Sequence, residues 1–182
     1  MKRLTFLVLL TLFVVSWAAA QTSPQAAAEI TFTYTQQKGV ASNQYAVWIE
    51  DAQGKYIKTL FATRWTANGG WKRRPLSIPV WVKNSALSDM TKAQIDAFSG
   101  ATPKTGTFSY KWDGTDSRGA AVPAGEYAIY LEGTLRSENK VLCRAPILLG
   151  QGASTPHVSV EYKGDSAAER VMIGGVKVQV LR

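Results

Sequence analysis

From residue 29 onward the chain repeatedly alternates apolar and polar positions with a period of two, the pattern of strands buried on one face. Ile30, Phe32 and Tyr34 alternate with Glu29, Thr31, Thr33 and Thr35. Phe108, Tyr110 and Trp112 alternate with Thr107, Ser109 and Lys111, and Tyr127, Ile129 and Leu131 with Ala128, Tyr130 and Glu132. Residues 45–50 and 56–63 flank Asp51-Ala52-Gln53-Gly54, a tight turn ending in glycine, and so predict a hairpin. Residues 139–147 read as a further strand. Val158, Val160 and Tyr162, then Val176, Val178 and Val180, predict a closing pair. Only residues 91–98 read as a helix, opened by Thr91 with Gln94 three residues on, a capping-box signature. Many short strands with close turns and one short helix predict an all-β fold, an Ig-like antiparallel β-sandwich.

The first residues add an address. Lys2 and Arg3 precede an apolar run from Leu4 to Trp17 and then Ala18-Ala19-Ala20, which together predict a secretory signal peptide over residues 1–20. Residues 21–28 form a flexible lead-in and residues 29–182 one β-sandwich domain. Cleavage would leave 182 − 20 = 162 residues and, with Lys2 and Arg3 gone, lower the formal charge from +8 to +6. No cysteine follows the cut, so a periplasmic protein without a lipid anchor is expected, one that does not span the membrane after cleavage. Cys143 is the only cysteine, which rules out an intrachain disulfide, and a buried strand position suits it. The positive excess favours anionic partners or cofactors, but there is no basic tract of the kind that binds nucleic acid.

Residues 96–102 read Asp-Ala-Phe-Ser-Gly-Ala-Thr. This run resembles the acceptor motif on which a transferase attaches FMN by a phosphoester: Asp, two free positions, Ser or Thr, Gly, Ala, then Ser or Thr. Asp96, Ser99, Gly100, Ala101 and Thr102 fill every specified position. The resemblance implies covalent FMN on Thr102, with Mg²⁺ in the transferase drawing charge off the phosphate. Gly100 and Ala101 would keep the backbone thin beside the hydroxyl, Pro103 would bias Thr102 toward an extended conformation, and Asp96 would orient the loop or help recruit the transferase. Lys104 and Lys111 are candidate contacts to phosphate or ring. The same letters also arise at a helix end stopped by Gly100, and the two readings are compatible.

A second resemblance covers more of the chain. Trp112-Asp113-Gly114-Thr115-Asp116-Ser117-Arg118-Gly119, followed by Pro123 and Gly125-Glu126-Tyr127, resembles the strand-turn-strand of Ig-like domains in flagellar hook-cap proteins, with Trp and Tyr in the core. Together with the Tyr-Ala-Val-Trp-Ile-Glu strand and the Ser-Gly-Ala-Thr-Pro-Lys-Thr-Gly stretch, it is similar to a family of predicted periplasmic proteins of unknown function. That family is associated with PepSY-type membrane proteins and with FMN transferases of the ApbE type. The resemblance implies those two partners and an electron-transfer flavoprotein rather than a self-contained enzyme.

Other chemistry finds little support. Asp113, Thr115 and Asp116 lack the rest of a Ca²⁺ loop and read as turn formers. One histidine, His157, and one cysteine make a poor transition-metal set, and no nucleophile elbow or Gly-rich phosphate loop is present. Trp65, Trp71 and Trp81 stand among Arg64, Lys72, Arg73 and Arg74 in a Gly-broken region. They are core residues with a solvated cationic rim, or a cover for a flavin ring or docking face for a redox partner. The competing function is a cofactor-free Ig-like binding or structural module of the periplasm, or an accessory protein to a membrane flavoprotein.

Overall fold

A computed structural model describes residues 26–38, 42–136, 139–164 and 171–182; the predicted leader lies outside them. Among the described residues nine strands form two sheets. Strands β1 (Ala28–Tyr34), β5 (Gly106–Trp112) and β9 (Ile173–Val180) make a three-stranded sheet in the order β5-β1-β9. The larger sheet has the order β4-β3-β2-β6-β7-β8, from β2 (Gln44–Asp51), β3 (Tyr56–Thr63), β4 (Ser99–Gly100), β6 (Gly125–Arg136), β7 (Asn139–Leu149) and β8 (Ser159–Lys163).

The alternating residues do what their period dictates. Ile30, Phe32 and Tyr34 of β1 and Trp112 of β5 face Tyr45, Val47 and Ile49 of β2 and Ile129 and Leu131 of β6, all at most 1% exposed. Their burial is the main term holding the sheets together, roughly 1.5–3 kcal/mol for each large side chain. Aromatic rings concentrate at one end: Tyr45 lies edge-on to Phe32 at 5.5 Å, and Phe61 stacks on Tyr110 at 5.1 Å. Trp112 and Tyr127 meet in a T at 5.2 Å, as the hook-cap-like segment led us to expect of core residues.

The turns also follow the sequence. Asp51 Oδ1 accepts from the N–H groups of Gln53 and Lys55, closing the β2–β3 hairpin. Asp116 Oδ1 accepts from Arg118 and Ala120. The carboxylate of Asp113 and the hydroxyl of Thr115 hold the Lys58 ammonium at 3.0 and 2.7 Å, so a side-chain cation occupies this turn. Among the described residues no cluster of three metal-ligating side chains occurs.

Four expectations need correction. The larger sheet is not antiparallel throughout, because β4 runs parallel to β3, with Ala62 opposite Ser99 and Thr63 opposite Gly100. The last two strands are not a pair: β8 joins β7, and β9 joins β1 in the other sheet. Alternation reports which face a strand buries, not which neighbour it takes. The single helix is one of several. Between β3 and β4 the chain makes a π-turn at Thr66–Gly70, then α1 (Trp71–Arg73), α2 (Pro79–Asn84), a 3-10 turn at Leu87–Asp89 and α3 (Lys92–Phe98). Strand β1 also takes in Ala28, which the sequence assigned to the lead-in.

This excursion, residues 64–98, lies on the outer face of the larger sheet. Ala67, Ile78, Trp81 and Leu87 pack on Ala46, Trp48 and Ala62. Strand β2 is therefore buried on both faces from Gln44 to Glu50.

Candidate functional site

Helix α3 delivers the acceptor-like run to the edge of the larger sheet. Its start is capped both ways: the Thr91 N–H donates to Gln94 Oε1 at 2.8 Å and the Gln94 N–H to Thr91 Oγ1 at 3.3 Å. The helix ends at Phe98, and Ser99 is already extended at φ −88° and ψ 135°. Gly100 is therefore no left-handed helix stop; it continues as strand. Its need for glycine is steric instead. A Cβ there would stand 2.6 Å from Cε2 of Phe61, so the strand lies flat on that ring.

Asp96 is exposed and pairs with Lys92, one turn earlier, at 2.5 Å. Ser99 is partly buried, and its hydroxyl is sealed from solvent without a hydrogen bond, as is that of Thr63 on the paired strand. Ala101 and Lys104 are exposed, and Thr102 and Pro103 are partly buried. The Thr102 hydroxyl makes no hydrogen bond to any described residue. Lys111 lies on the solvent face of the three-stranded sheet, opposite Glu29, on a sheet to which β4 does not belong.

The tryptophans divide. Trp81 is fully buried and donates its indole N–H to Thr59 Oγ1 at 2.9 Å, so it is core. Trp71 is partly buried against the same cluster. Trp65 is 40% exposed, with the Arg74 guanidinium over its ring at 5.7 Å. Gly70 lets the chain fold back onto it, since a Cβ on Gly70 would lie 2.5 Å from the indole. Trp65 stands between two open hollows. One, of about 760 Å³, is lined by Arg64, Trp65, Asn68, Gly69, Gly70, Arg73, Lys92 and Asp96. The other, of about 640 Å³, is lined by Ser42, Gln44, Trp65, Arg73 and Arg74.

Residues 64–88 contain Arg64, Lys72, Arg73, Arg74 and Lys83 and no aspartate or glutamate. The donor set beside Asp96 thus fits an anion, and an unengaged Thr102 hydroxyl fits a phosphoester acceptor. Sequence reasoning singled out Arg64 and Arg73 but missed Lys92. The signal was its place four residues before Asp96, on one face of a helix.

Buried carboxylates fix this excursion in place. Glu132 is fully buried and accepts the N–H groups of Trp81 and Val80 at 2.9 and 3.3 Å. Burial pushes its carboxyl up to about 7, outweighing those two bonds and the nearby Lys140, which favour the charged form. Glu50 Oε1 accepts from the Trp48 indole and from Asn84, both at 2.7 Å. Thr134 Oγ1 accepts the Ile78 N–H at 2.8 Å, and Thr66 donates to Gln44 at 3.0 Å.

Cys143 is buried, and its thiol is pushed up to about 12 by desolvation; His157 is exposed. Among the described residues no helix is long and apolar enough to cross a membrane. No curated protein and no solved structure matches the chain. The family described as predicted periplasmic protein (DUF2271) matches residues 26–167, so the chain belongs to that family and is a protein of the periplasm.

Proposed function

We propose that the protein carries FMN on the Thr102 hydroxyl and acts as an extracytoplasmic electron carrier for a membrane redox partner. One observation carries the reading: the acceptor-like run ends a capped helix at a sheet edge, and its last hydroxyl has no partner among the described residues. In the modification, the Thr102 oxygen bonds to the FMN phosphorus of FAD and the pyrophosphate bond breaks. AMP leaves with the electron pair, and the threonine proton passes to a base of the transferase or to water. FMN when bound supplies the electron chemistry, and the chain's own residues tether and surround it. A tether suits the periplasm, where a free cofactor diffuses away; it keeps local concentration high without a deep pocket. The partners are an FMN transferase and a PepSY-type membrane protein. Asp96, Ser99, Gly100, Ala101 and Lys104 shape the acceptor.

The sandwich is of the Ig-like kind in this reading. The Tyr127 hydroxyl donates to the Pro123 carbonyl at 2.8 Å, four residues upstream, as a tyrosine corner does.

A second reading, a cofactor-free binding or accessory module, is favoured by β8, an edge strand exposed along its whole length with Val160 and Tyr162 43% and 44% exposed. Such an edge can accept another strand. One experiment separates the two. After coexpression with an FMN transferase, the intact mass increases by one FMN residue, and Thr102→Val abolishes the increase. An unmodified chain, in a host that flavinylates other proteins, would leave the binding module standing.

A further inference from the structure

Trp65, Arg64, Arg73 and Lys92 converge on one hollow beside the first residue of the acceptor-like run. Trp65 is a large aromatic held in place by Gly70 and Arg74 yet 40% exposed. Among the described residues Asp96 is the one carboxylate on the rim, and Lys92 already neutralises it. About 760 Å³ falls within the usual range for small-ligand sites, roughly 300–1,000 Å³. A planar ring that carries carbonyl acceptors and becomes an anion on reduction matches this set: indole for the ring, guanidinium forks for the acceptors and the charge.

We infer that this hollow seats the isoalloxazine ring of a flavin carried by Thr102, with Trp65 as its wall and Arg64 and Arg73 as its charge partners. The inference rests on the tethering proposed above and adds where the ring goes. Topology brings the two within reach. Arg64 follows Thr63, and Thr63 is paired in parallel with Gly100, two residues before Thr102. With about 3.8 Å per Cα step and about 4.8 Å between strands, the Arg64 and Thr102 backbones lie within about 16 Å of each other. The ribityl phosphate arm spans roughly 10 Å of ordinary covalent bonds, and the ring and the Arg side chains close the remainder. Guanidinium groups beside the ring hold the reduced form more tightly and so raise the potential.

The test uses the full chain coexpressed with an FMN transferase, with loading verified by intact mass. Trp65→Ala is expected to lose quenching of the flavin emission. Arg64→Gln and Arg73→Gln are expected to shift the midpoint potential to more negative values, and Lys177→Gln, an exposed control on β9, to leave both unchanged. A loaded flavin whose emission and potential ignore all three hollow substitutions overturns the seat and leaves the tether intact. Absence of the FMN mass overturns both. The arginine variants keep the test decisive if Trp65→Ala does not fold.

Discussion

The two faces of the larger sheet are buried by different means. The inner face meets the three-stranded sheet mainly through aliphatic and aromatic side chains, from Val47 and Ile49 to Ile129, Leu131 and Ile147, with the Tyr45 and Tyr110 hydroxyls paired across it at 2.7 Å. The outer face meets the 64–98 excursion through Trp48, Ala46 and Ala62, but also through Gln44, Glu50, Thr59, Glu132 and Thr134, each at most 5% exposed. Apolar packing is non-directional and supplies most of the stability. Buried polar groups with one good set of partners add little net energy, yet they penalise every other seating, because a displaced segment leaves them unpaired. The inner face holds the fold together; the outer face fixes how the basic excursion sits, and with it the hollow beside Asp96.

The largest effect that would test this division is on the inner face. Trp112→Ala should cost about 3–5 kcal/mol, with loss of both sheets in one cooperative urea transition. Separate transitions for sheets and excursion would mean the inner face is not the common core.

On the outer face, Glu132→Leu leaves the Val80 and Trp81 N–H groups without acceptors, at a cost of about 1–3 kcal/mol. Hydrogen exchange should accelerate over residues 78–84 while β1 and β5 stay protected. Uniform acceleration would merge the two faces into one unit. Glu132 also makes stability depend on pH. Its folded value, about 7, lies above the ordinary value of 4.5, so the folded state holds the proton more tightly. This contribution is fully present below about pH 4.5 and is lost as pH rises through 7. A shift of that size is worth at most about 3 kcal/mol. In Glu132→Gln this component should vanish from the stability-versus-pH curve.

Gly100→Ala drives a methyl group into the Phe61 ring, and Phe61 is itself wedged between Tyr45 and Tyr110. A loss of about 1–3 kcal/mol is expected by urea titration, with β4 released first. The smallest effect is Thr91→Ala, which removes the cap of α3 and should cost about 1 kcal/mol, read as faster exchange over residues 92–98.

The same contrast explains what could be read from the chain. Strands β1, β5 and β6 were legible because one apolar face and one polar or pleated face recur every two residues, and α3 because Thr91 and Gln94 announce its start. The rest of the excursion was not. Its turns begin at Ile78 and Ala86 with left-handed φ of 42° and 50°, and its helices are too short for any period to repeat. Its inward residues, Ala67, Ile78, Trp81 and Leu87, obey no spacing. The acceptor-like run was readable as letters, and so was the aromatic-cationic company of Trp65. That Asp96, Lys92, Arg64 and Arg73 share one hollow depends on the parallel β3–β4 bridge, a contact between segments 37 residues apart by the pairing of Ala62 with Ser99. No local pattern encodes it.

The lone thiol has a consequence for handling the protein. Cys143 faces the interior from the middle of β7, with its proton held well beyond neutral pH. Oxidants of the compartment reach it only while the chain is open. A covalent dimer in a preparation would thus be a fossil of molecules that met an oxidant before the sheets closed, and its fraction would report how slowly they closed.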